Sequence, residues 1–231
     1  MAMEELRKMM CIPADASKGE IEIRFKSIAE ILMNECVIEY KNEEEKSEEY
    51  RILDFEFYFY SKDHQDISVH PRKSKALCWY INDFGGIDLN FESNIEPRYQ
   101  HKGKKLAIRY ELKDDSYFGG ILIRQIQKLS GNKEIYDSPL KVAELFRVLD
   151  ATSQKQNTPI LKMKKLDIID FQEPQPRYNI LGSHKNNPKA KADYNLQECF
   201  TGVSDSKKKI LEEELAKYAE CKYRYCWSSQ T

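Results

Sequence analysis

Residues 50–60, with the sequence YRILDFEFYFY, constrain the fold more than any other part of the chain. Aromatic and β-branched residues at this density are typical of a β-strand with a buried face. Side chains alternate between the two faces of a strand. One face therefore carries only phenylalanines: Phe55, Phe57 and Phe59. The other face carries polar groups: Asp54, Glu56 and Tyr58. Since the phenylalanine face belongs to a hydrophobic core, the chain must build a sheet around this strand.

Other apolar patterns predict more strands than helices. Helices are expected at residues 1–12, 27–36, 138–149 and 207–218, with Ser138 as N-cap and Pro139 at the first helical position of the third. Strands are expected at residues 37–40, 75–81, 86–91, 105–112, 120–128 and 222–227, and in the segment KLDIIDF at 165–171.

The order of these elements predicts one α+β domain over residues 1–231, with an antiparallel, partly closed, barrel-like sheet and flanking helices. Residues 1–20 are expected to form an N-terminal extension. Residues 172–198 are rich in Pro, Asn, Gln and Lys, which predicts a long surface loop.

Composition limits the cellular setting. The chain is 41% hydrophobic and 32% charged, which supports a packed core and not a disordered chain. No apolar run approaches the roughly 18 residues that a membrane helix needs. The first 25 residues are polar and charged, with no secretory signal. We therefore expect a cytoplasmic monomer whose six scattered cysteines are reduced.

Charge is unevenly distributed. A net charge of −1 counts against binding of nucleic acid through the whole surface, so any phosphate contact must come from a local patch. Residues 98–113, RYQHKGKKLAIRYELK, carry six Lys or Arg against one Glu, with tyrosines interleaved. Basic side chains bind phosphates and aromatic rings stack on bases, whereas a solvated β-hairpin is the alternative interpretation.

Two charged residues within apolar strands are candidates for catalysis. Glu56 lies in the middle of the most apolar strand, where a half-buried carboxylate suits general-base activation of a water molecule. The alternative is the exposed face of an edge strand. Arg124, in GGILIRQI, has apolar neighbours and is expected to pair with a carboxylate such as Glu56. A purely structural salt bridge is the alternative role for Arg124.

The histidines show no metal-binding spacing. His64 and His70 lie in SKDHQDISVHPR with no cysteine beside them, so we expect no metal ion and no other cofactor. A loop histidine beside a site can hydrogen-bond or stack, and an ordinary surface histidine is the alternative.

Several segments, in one order from about residue 24 to 228, resemble the alkyladenine (3-methyladenine) family of DNA glycosylases. Residues 25–59 are similar to the opening helix and hairpin of that family, and DHQDISVH to its acidic loop ending in histidine. KALCWYINDFGGIDLNFES resembles its next hairpin. GGILIRQIQKLSG, the most specific match, is similar to its arginine-bearing strand. SPLKVAELFRVLDA, PRYNIL and CKYRYCW resemble the segments that close the fold.

The resemblance implies roles for individual residues. Glu56 falls on the catalytic glutamate of the family and Arg124 on the arginine beside the catalytic water. The implied base pocket consists of Tyr58, His70, Tyr80 and Asn90. The resemblance adds Phe84 as a residue expected to contact DNA, and the basic stretch at 98–113 independently adds Lys102, Lys104, Lys105 and Arg109.

Two departures from the family pattern bear on the substrate. The tyrosine that wedges into the DNA stack is replaced by Asp83, so Phe84 would be a displaced wedge. Residues 91–117 are a basic insertion that is not typical of the family. The resemblance thus implies a DNA N-glycosylase that flips out a damaged or modified base and hydrolyses its glycosidic bond. The alternatives are a nucleic-acid binding module without activity and a hydrolase for another modified base or a nucleoside.

Overall fold

The elements of the structure surround one long central strand. The computed structural model describes residues 3–41, 46–81, 86–103, 105–146, 158–169, 172–177 and 194–227. The helices are α1 (Met3–Met9), α2 (Lys18–Asn34), α3 (Pro139–Leu145) and α4 (Asp205–Glu220), with a π-helical turn at Asn195–Cys199. The strands are β1 (Cys36–Lys41), β2 (Ser47–Ser61), β3 (His64–Gln65), β4 (Trp79–Ile81), β5 (Ile87–Asn90), β6 (Pro97–Lys102), β7 (Lys105–Glu111), β8 (Phe118–Lys128), β9 (Ile135–Tyr136), β10 (Ile160–Met163), β11 (Phe200–Thr201) and β12 (Arg224–Cys226).

Most strands join one curled antiparallel sheet that forms a half-barrel. Its order is β10-β1-β2-β8-β5-β4, and β3 and β12 also pair with β2 while β9 pairs with β8. A smaller sheet has the order β11-β7-β6, in which β11 runs parallel to β7. The prediction of one α+β domain with a partly closed antiparallel sheet is confirmed at this level.

The two faces of β2 lie in different surroundings. The phenylalanine face packs on α2, where the Phe25 and Phe57 rings stack with centroids 4.3 Å apart. The opposite face is covered by a second apolar cluster that includes Leu196, Phe200 and Leu211 from the π-helical turn, β11 and α4. Both faces of the strand are therefore buried, as expected of a strand inside a curled sheet.

A pair of compensating bulges shifts the alternation within β2 and β8. Ile52 pairs with Ile126, but Asp54 pairs with Gln125 and Phe55 with Ile123. Leu53 is thus an extra residue on β2 and Arg124 an extra residue on β8. Bulges re-aim side chains and are common beside functional sites. Here the bulge brings Arg124 to the polar face of β2.

Helix α2 begins nine residues before the expected start at residue 27. Its start is a capping box, in which the Ser17 side chain accepts from the Glu20 backbone N–H and the Glu20 carboxylate accepts from Ser17. The early turns expose Ile23 and bury Ile21 and Phe25. The sequence pattern did not predict this part of the helix because its apolar face is interrupted by charged residues.

Two predicted strands are wrong in position. The strand expected at 75–81 is confined to Trp79–Ile81, because Leu77 has a positive φ of 64° that breaks the extended backbone. The strand expected in KLDIIDF lies earlier, at Ile160–Met163. The described part of KLDIIDF lies beside the C-terminal end of α2 instead. There the backbone N–H of Leu166 donates to the carbonyl of Asn34.

The described ends of the segment 172–198 differ from the predicted surface loop in part, since residues 172–176 are exposed or half-buried but some other residues are not. Arg177 is fully buried, and Asn195 and Leu196 are buried in the π-helical turn. Residues 178–193 lie outside the described residues. At the other end of the chain, the expected extension 1–20 contributes Leu6, Met10 and further side chains to the main core. None of the described helices is both long and apolar enough to cross a bilayer.

Candidate functional site

Glu56 lies at the centre of the half-barrel. Its backbone neighbours are Leu122 on β8 and Arg224 on β12, so β2 is paired on both sides at this point. The Glu56 side chain is 0% exposed. The alternative of an exposed edge strand is therefore wrong, and the carboxylate occupies a site where charge is costly unless it is compensated.

Tyr58 and Arg124 both contribute to the compensation of Glu56. The Tyr58 hydroxyl donates a hydrogen bond of 2.9 Å to Oε2 of Glu56, and Nη1 of Arg124 lies 3.5 Å from the same oxygen. Nε of Arg124 is also 3.8 Å from Oδ2 of Asp54. The ion pair expected between Arg124 and Glu56 is thus present, and the bulge on β8 is what brings it about.

Asp54 extends this group toward β12. Arg224 binds its carboxylate through two nitrogens, with Nη2 2.6 Å and Nε 3.0 Å from its two oxygens. The hydrogen bonds that Arg224 donates to Asp54 raise the pKa of this guanidinium and hold its charge. The polar face of β2 therefore carries two carboxylates and two guanidinium groups in alternation, an arrangement that neutralises charge within a small volume.

Arg177 adds a third guanidinium on the far side of Tyr58. Its Cζ lies 4.6 Å from the centre of the Tyr58 ring, so one face of that ring is covered by a cation–π contact. Arg177 is ion-paired with Asp66 and donates to the backbone carbonyls of Phe57 and Tyr218. Burial and the Glu56 charge raise the pKa of Tyr58 well above its usual range, so this phenol stays protonated. Sequence reasoning missed Arg177 because it lies in a Pro-rich segment without periodicity.

Tyr80 and Asn90 share the polar face with Glu56. One row of paired residues crosses the sheet as Glu56, Leu122, Asp88 and Tyr80, and the adjacent row contains Tyr58, Gly120 and Asn90. Paired residues of antiparallel strands lie on the same face. The register therefore brings these predicted pocket residues to one surface, with Tyr80 three strands away from Glu56.

Arg72, which the sequence did not suggest, lies between Tyr80 and Asn90. Its guanidinium is 4.6 Å from the Tyr80 ring centre and forms an ion pair with Asp88. A Cβ on Gly120 would lie 2.8 Å from Nη2 of Arg72, so a larger residue at position 120 would require the Arg72 guanidinium to shift. Nε of Arg72 and Oδ1 of Asn90 are buried with no hydrogen-bond partner among the described residues. This cluster therefore has unused donor and acceptor capacity.

His70 lies beside the π-helical turn. Its Nδ1 is 3.7 Å from Sγ of Cys199, a contact between residues 129 positions apart that no sequence spacing could indicate. π-Helical turns are frequent at functional sites. His64 differs from His70 because it is fully buried and bonded to the Phe59 carbonyl and the Tyr223 hydroxyl. Burial lowers the pKa of His64 to about 4, so it is a neutral core residue.

Three of the residues expected to contact DNA, Lys102, Lys105 and Arg109, belong to the strands of the smaller sheet. Arg109 donates to the backbone carbonyl of Gln197, which ties β7 to the π-helical turn. The backbones of Lys102 and Lys105 pair with each other at the ends of β6 and β7. Phe84 and Lys104 lie outside the described residues.

Within the described ranges, no three His, Cys, Asp or Glu side chains come together as a metal site would require. The polar face contains buried carboxylates, guanidinium groups and aromatic rings. No protein-family model matches the chain, and no curated protein matches it either.

Proposed function

We propose that the chain is a DNA N-glycosylase of the alkylpurine type, in which Glu56 activates the attacking water. The observation that carries this proposal is the group formed by Glu56, Arg124 and Tyr58 in the middle of the sheet. A carboxylate at this position can act as a general base, and a guanidinium 3.5 Å away can orient the water molecule that it activates.

In this mechanism a damaged or modified nucleotide leaves the helix and enters the polar face of the half-barrel. The Glu56 carboxylate accepts a proton from a water molecule as that water attacks C1′ of the sugar and the base departs. The negative charge of Glu56 also stabilises the oxocarbenium-like transition state. Arg124 positions the water. The protonated Tyr58 donates to Glu56 and holds its orientation.

The remaining pocket residues would bind the base. Tyr80 provides an aromatic wall, and the buried Oδ1 of Asn90 is an acceptor for a donor on the base edge. His70 is assigned to the rim beside Cys199. The proposed reaction uses no metal ion and no organic cofactor, since water is the nucleophile and the leaving group is a purine base.

The direct test compares base release by the wild type and Glu56→Gln, from duplex oligonucleotides carrying hypoxanthine, ethenoadenine or a methylated purine. Glutamine keeps the size of the side chain but is not a base. We expect the variant to lose roughly 10²- to 10⁴-fold in rate while remaining folded. Glu39→Gln is the matched control, since Glu39 pairs with Lys162 at the edge of the sheet.

The outcomes separate the roles of Glu56. Release by the wild type that is lost in Glu56→Gln alone supports a water-activating base. If Glu56→Gln loses thermal stability in parallel with activity, Glu56 is assigned to a structural ion pair instead. No release from any of these substrates would contradict the proposal.

A nucleic-acid binding module without catalysis is the second candidate, and one feature favours it. Glu56 is 0% exposed and one face of the Tyr58 ring is covered by Arg177, so access of a base to both residues is restricted. This candidate predicts salt-sensitive DNA binding that survives Glu56→Gln but weakens when Lys104 and Lys105 are both changed to Ala.

A further inference from the structure

The hairpin of β6 and β7 has two chemically different faces. Its register pairs Pro97 with Tyr110, Tyr99 with Ile108 and His101 with Leu106. These pairs share one face, which is aromatic and aliphatic. The pairs on the opposite face include Arg98 with Arg109 and Gln100 with Ala107. We call the first set the apolar ribbon face.

The apolar ribbon face starts in the core and continues into solvent. At its inner end, Tyr110 packs against the second apolar cluster, to which Leu112 and Ile95 belong. Farther out, Tyr99 is 66% exposed, Ile108 51% and Leu106 62%. A surface of three neighbouring large apolar side chains is larger than the single exposed residues that are normal on proteins. The ribbon thus extends a buried face beyond the body of the domain.

The charge of the ribbon indicates the kind of partner. Residues 98–113 contain six Lys or Arg and one Glu, whereas the whole chain has a net charge of −1. Between β6 and β7, Gly103 adopts a positive φ of 62°, and its neighbours in the sequence are Lys102, Lys104 and Lys105. A basic segment that also exposes aromatic and aliphatic side chains complements a polyanion that presents flat apolar surfaces.

Single-stranded nucleic acid is the polyanion that meets this description. A continuous duplex presents phosphates and base edges, while its base faces are stacked inside. Unpaired bases expose those faces, and stacking on an aromatic side chain stabilises binding by about 1–3 kcal/mol per base. We propose that the apolar ribbon face, with Tyr99 as the stacking residue, binds unpaired bases of a nucleic-acid strand while basic side chains of the same segment, residues 98–113, contact its phosphates.

The ribbon is attached next to the candidate pocket. Strand β7 pairs with β11, which follows the turn that contains Cys199, and Arg109 bonds to the carbonyl of Gln197 in that turn. Cys199 in turn contacts His70. A strand lying on the ribbon would therefore pass beside the pocket. This inference deepens the proposed function and rests on nucleic acid being its substrate class, but not on hydrolysis.

The test measures binding of the full chain to a fluorescent 20-nucleotide oligothymidine and to a duplex of equal length, by anisotropy at two salt concentrations. For Tyr99→Ser we expect a loss of roughly 5- to 100-fold in affinity for the single strand. The loss for the duplex should be less than about 2-fold, since its base faces are not available. Tyr99→Phe should retain the wild-type affinity because it keeps the ring. Ile210→Ser, which removes an exposed apolar side chain from α4, is the matched control.

Three results would overturn the inference. The first is that the wild type does not bind the single strand. The second is that Tyr99→Ser loses affinity equally for the single strand and for the duplex. The third is a wild-type dimer in sedimentation that Tyr99→Ser converts to a monomer, because the face would then be a contact between copies of this chain.

The inference and the proposed hydrolysis can fail separately. If Tyr99→Ser shows the expected loss but the wild type releases no base, the inference stands and the proposed hydrolysis fails. If the wild type releases base independently of Tyr99 and binds no single strand, the hydrolysis stands and the inference fails.

Discussion

The two faces of β2 are equally buried but are stabilised in different ways. On the phenylalanine face, Phe55, Phe57 and Phe59 pack against rings and aliphatic side chains, and the hydrophobic effect favours their burial directly. On the polar face, Asp54 and Glu56 are buried only because guanidinium groups from other segments lie beside them. Burial of charge costs free energy, and the ion pairs do no more than offset that cost. The apolar face thus serves stability, whereas stability alone does not account for the buried carboxylates of the polar face.

The largest expected effect on stability comes from the apolar face. Phe57→Ala removes a ring that stacks on Phe25 in the main core, and we expect a loss of about 3–5 kcal/mol in the free energy of unfolding. Glu56→Gln should lose about 1–2 kcal/mol, because glutamine still accepts from Tyr58 and Arg124 keeps Asp54 nearby. Urea denaturation of both variants measures the difference. A larger loss in Glu56→Gln than in Phe57→Ala would reverse the comparison.

The ion pair of Arg177 and Asp66 tests how the polar face tolerates an unpaired charge. Asp66→Asn keeps the shape but leaves the buried guanidinium without its carboxylate, so we expect a loss of about 3 kcal/mol. The double variant Asp66→Asn and Arg177→Met removes both charges. It should be no less stable than Asp66→Asn alone, since apolar replacements of buried pairs are often neutral. Thermal unfolding of the two variants checks this, and a double variant that is less stable than Asp66→Asn would contradict it.

A smaller effect should appear as a dependence of stability on pH. The pKa of His64 is lowered by burial to about 4 in the folded protein, against an ordinary value of about 6.5 when unfolded. The unfolded chain therefore binds a proton first as the pH falls. Stability is fully present above pH 6.5 and is lost between about 6.5 and 4, by about 2 kcal/mol from pH 7 to pH 5.

His64→Gln is the variant that isolates this contribution. Glutamine does not titrate, so the slope of unfolding free energy against pH should flatten between pH 7 and 5 even if the variant is less stable throughout. The surrounding ionisable groups are Asp66, Arg177, Tyr218 and Tyr223, and none of these side chain types ordinarily titrates in this window. An unchanged slope in His64→Gln would show that another group titrates on folding.

The apolar face could be predicted from sequence because alternation is a local property. Residues 50–60 identify Phe55, Phe57 and Phe59 as core without any knowledge of their partners. The prediction that Arg124 pairs with Glu56 also succeeded, since a lone arginine among apolar residues needs a carboxylate. The bulge that makes the contact possible was not predictable, because it depends on the pairing of two strands.

The rest of the polar face could not be predicted for the same reason. Arg72 and Arg177 lie in segments without regular spacing, and they reach Tyr80 and Tyr58 only through the fold. The roles assigned to Glu56 and the pocket residues remain predictions. The ribbon face is within reach of sequence reasoning, because Tyr99, Leu106 and Ile108 follow from alternation once the hairpin is assumed.

The pairing of β12 with β2 has a consequence for the order of folding. Arg224 binds Asp54 across 170 positions of the chain, and β12 covers β2 at Asp54–Glu56. Contacts of such high sequence separation form late, since a long loop must close first. During synthesis, helix α2 and the hairpin of β1 and β2 are complete long before residues 224–226 emerge. The nascent protein therefore carries an open strand edge beside Glu56, and the candidate site is among the last parts of the molecule to be assembled.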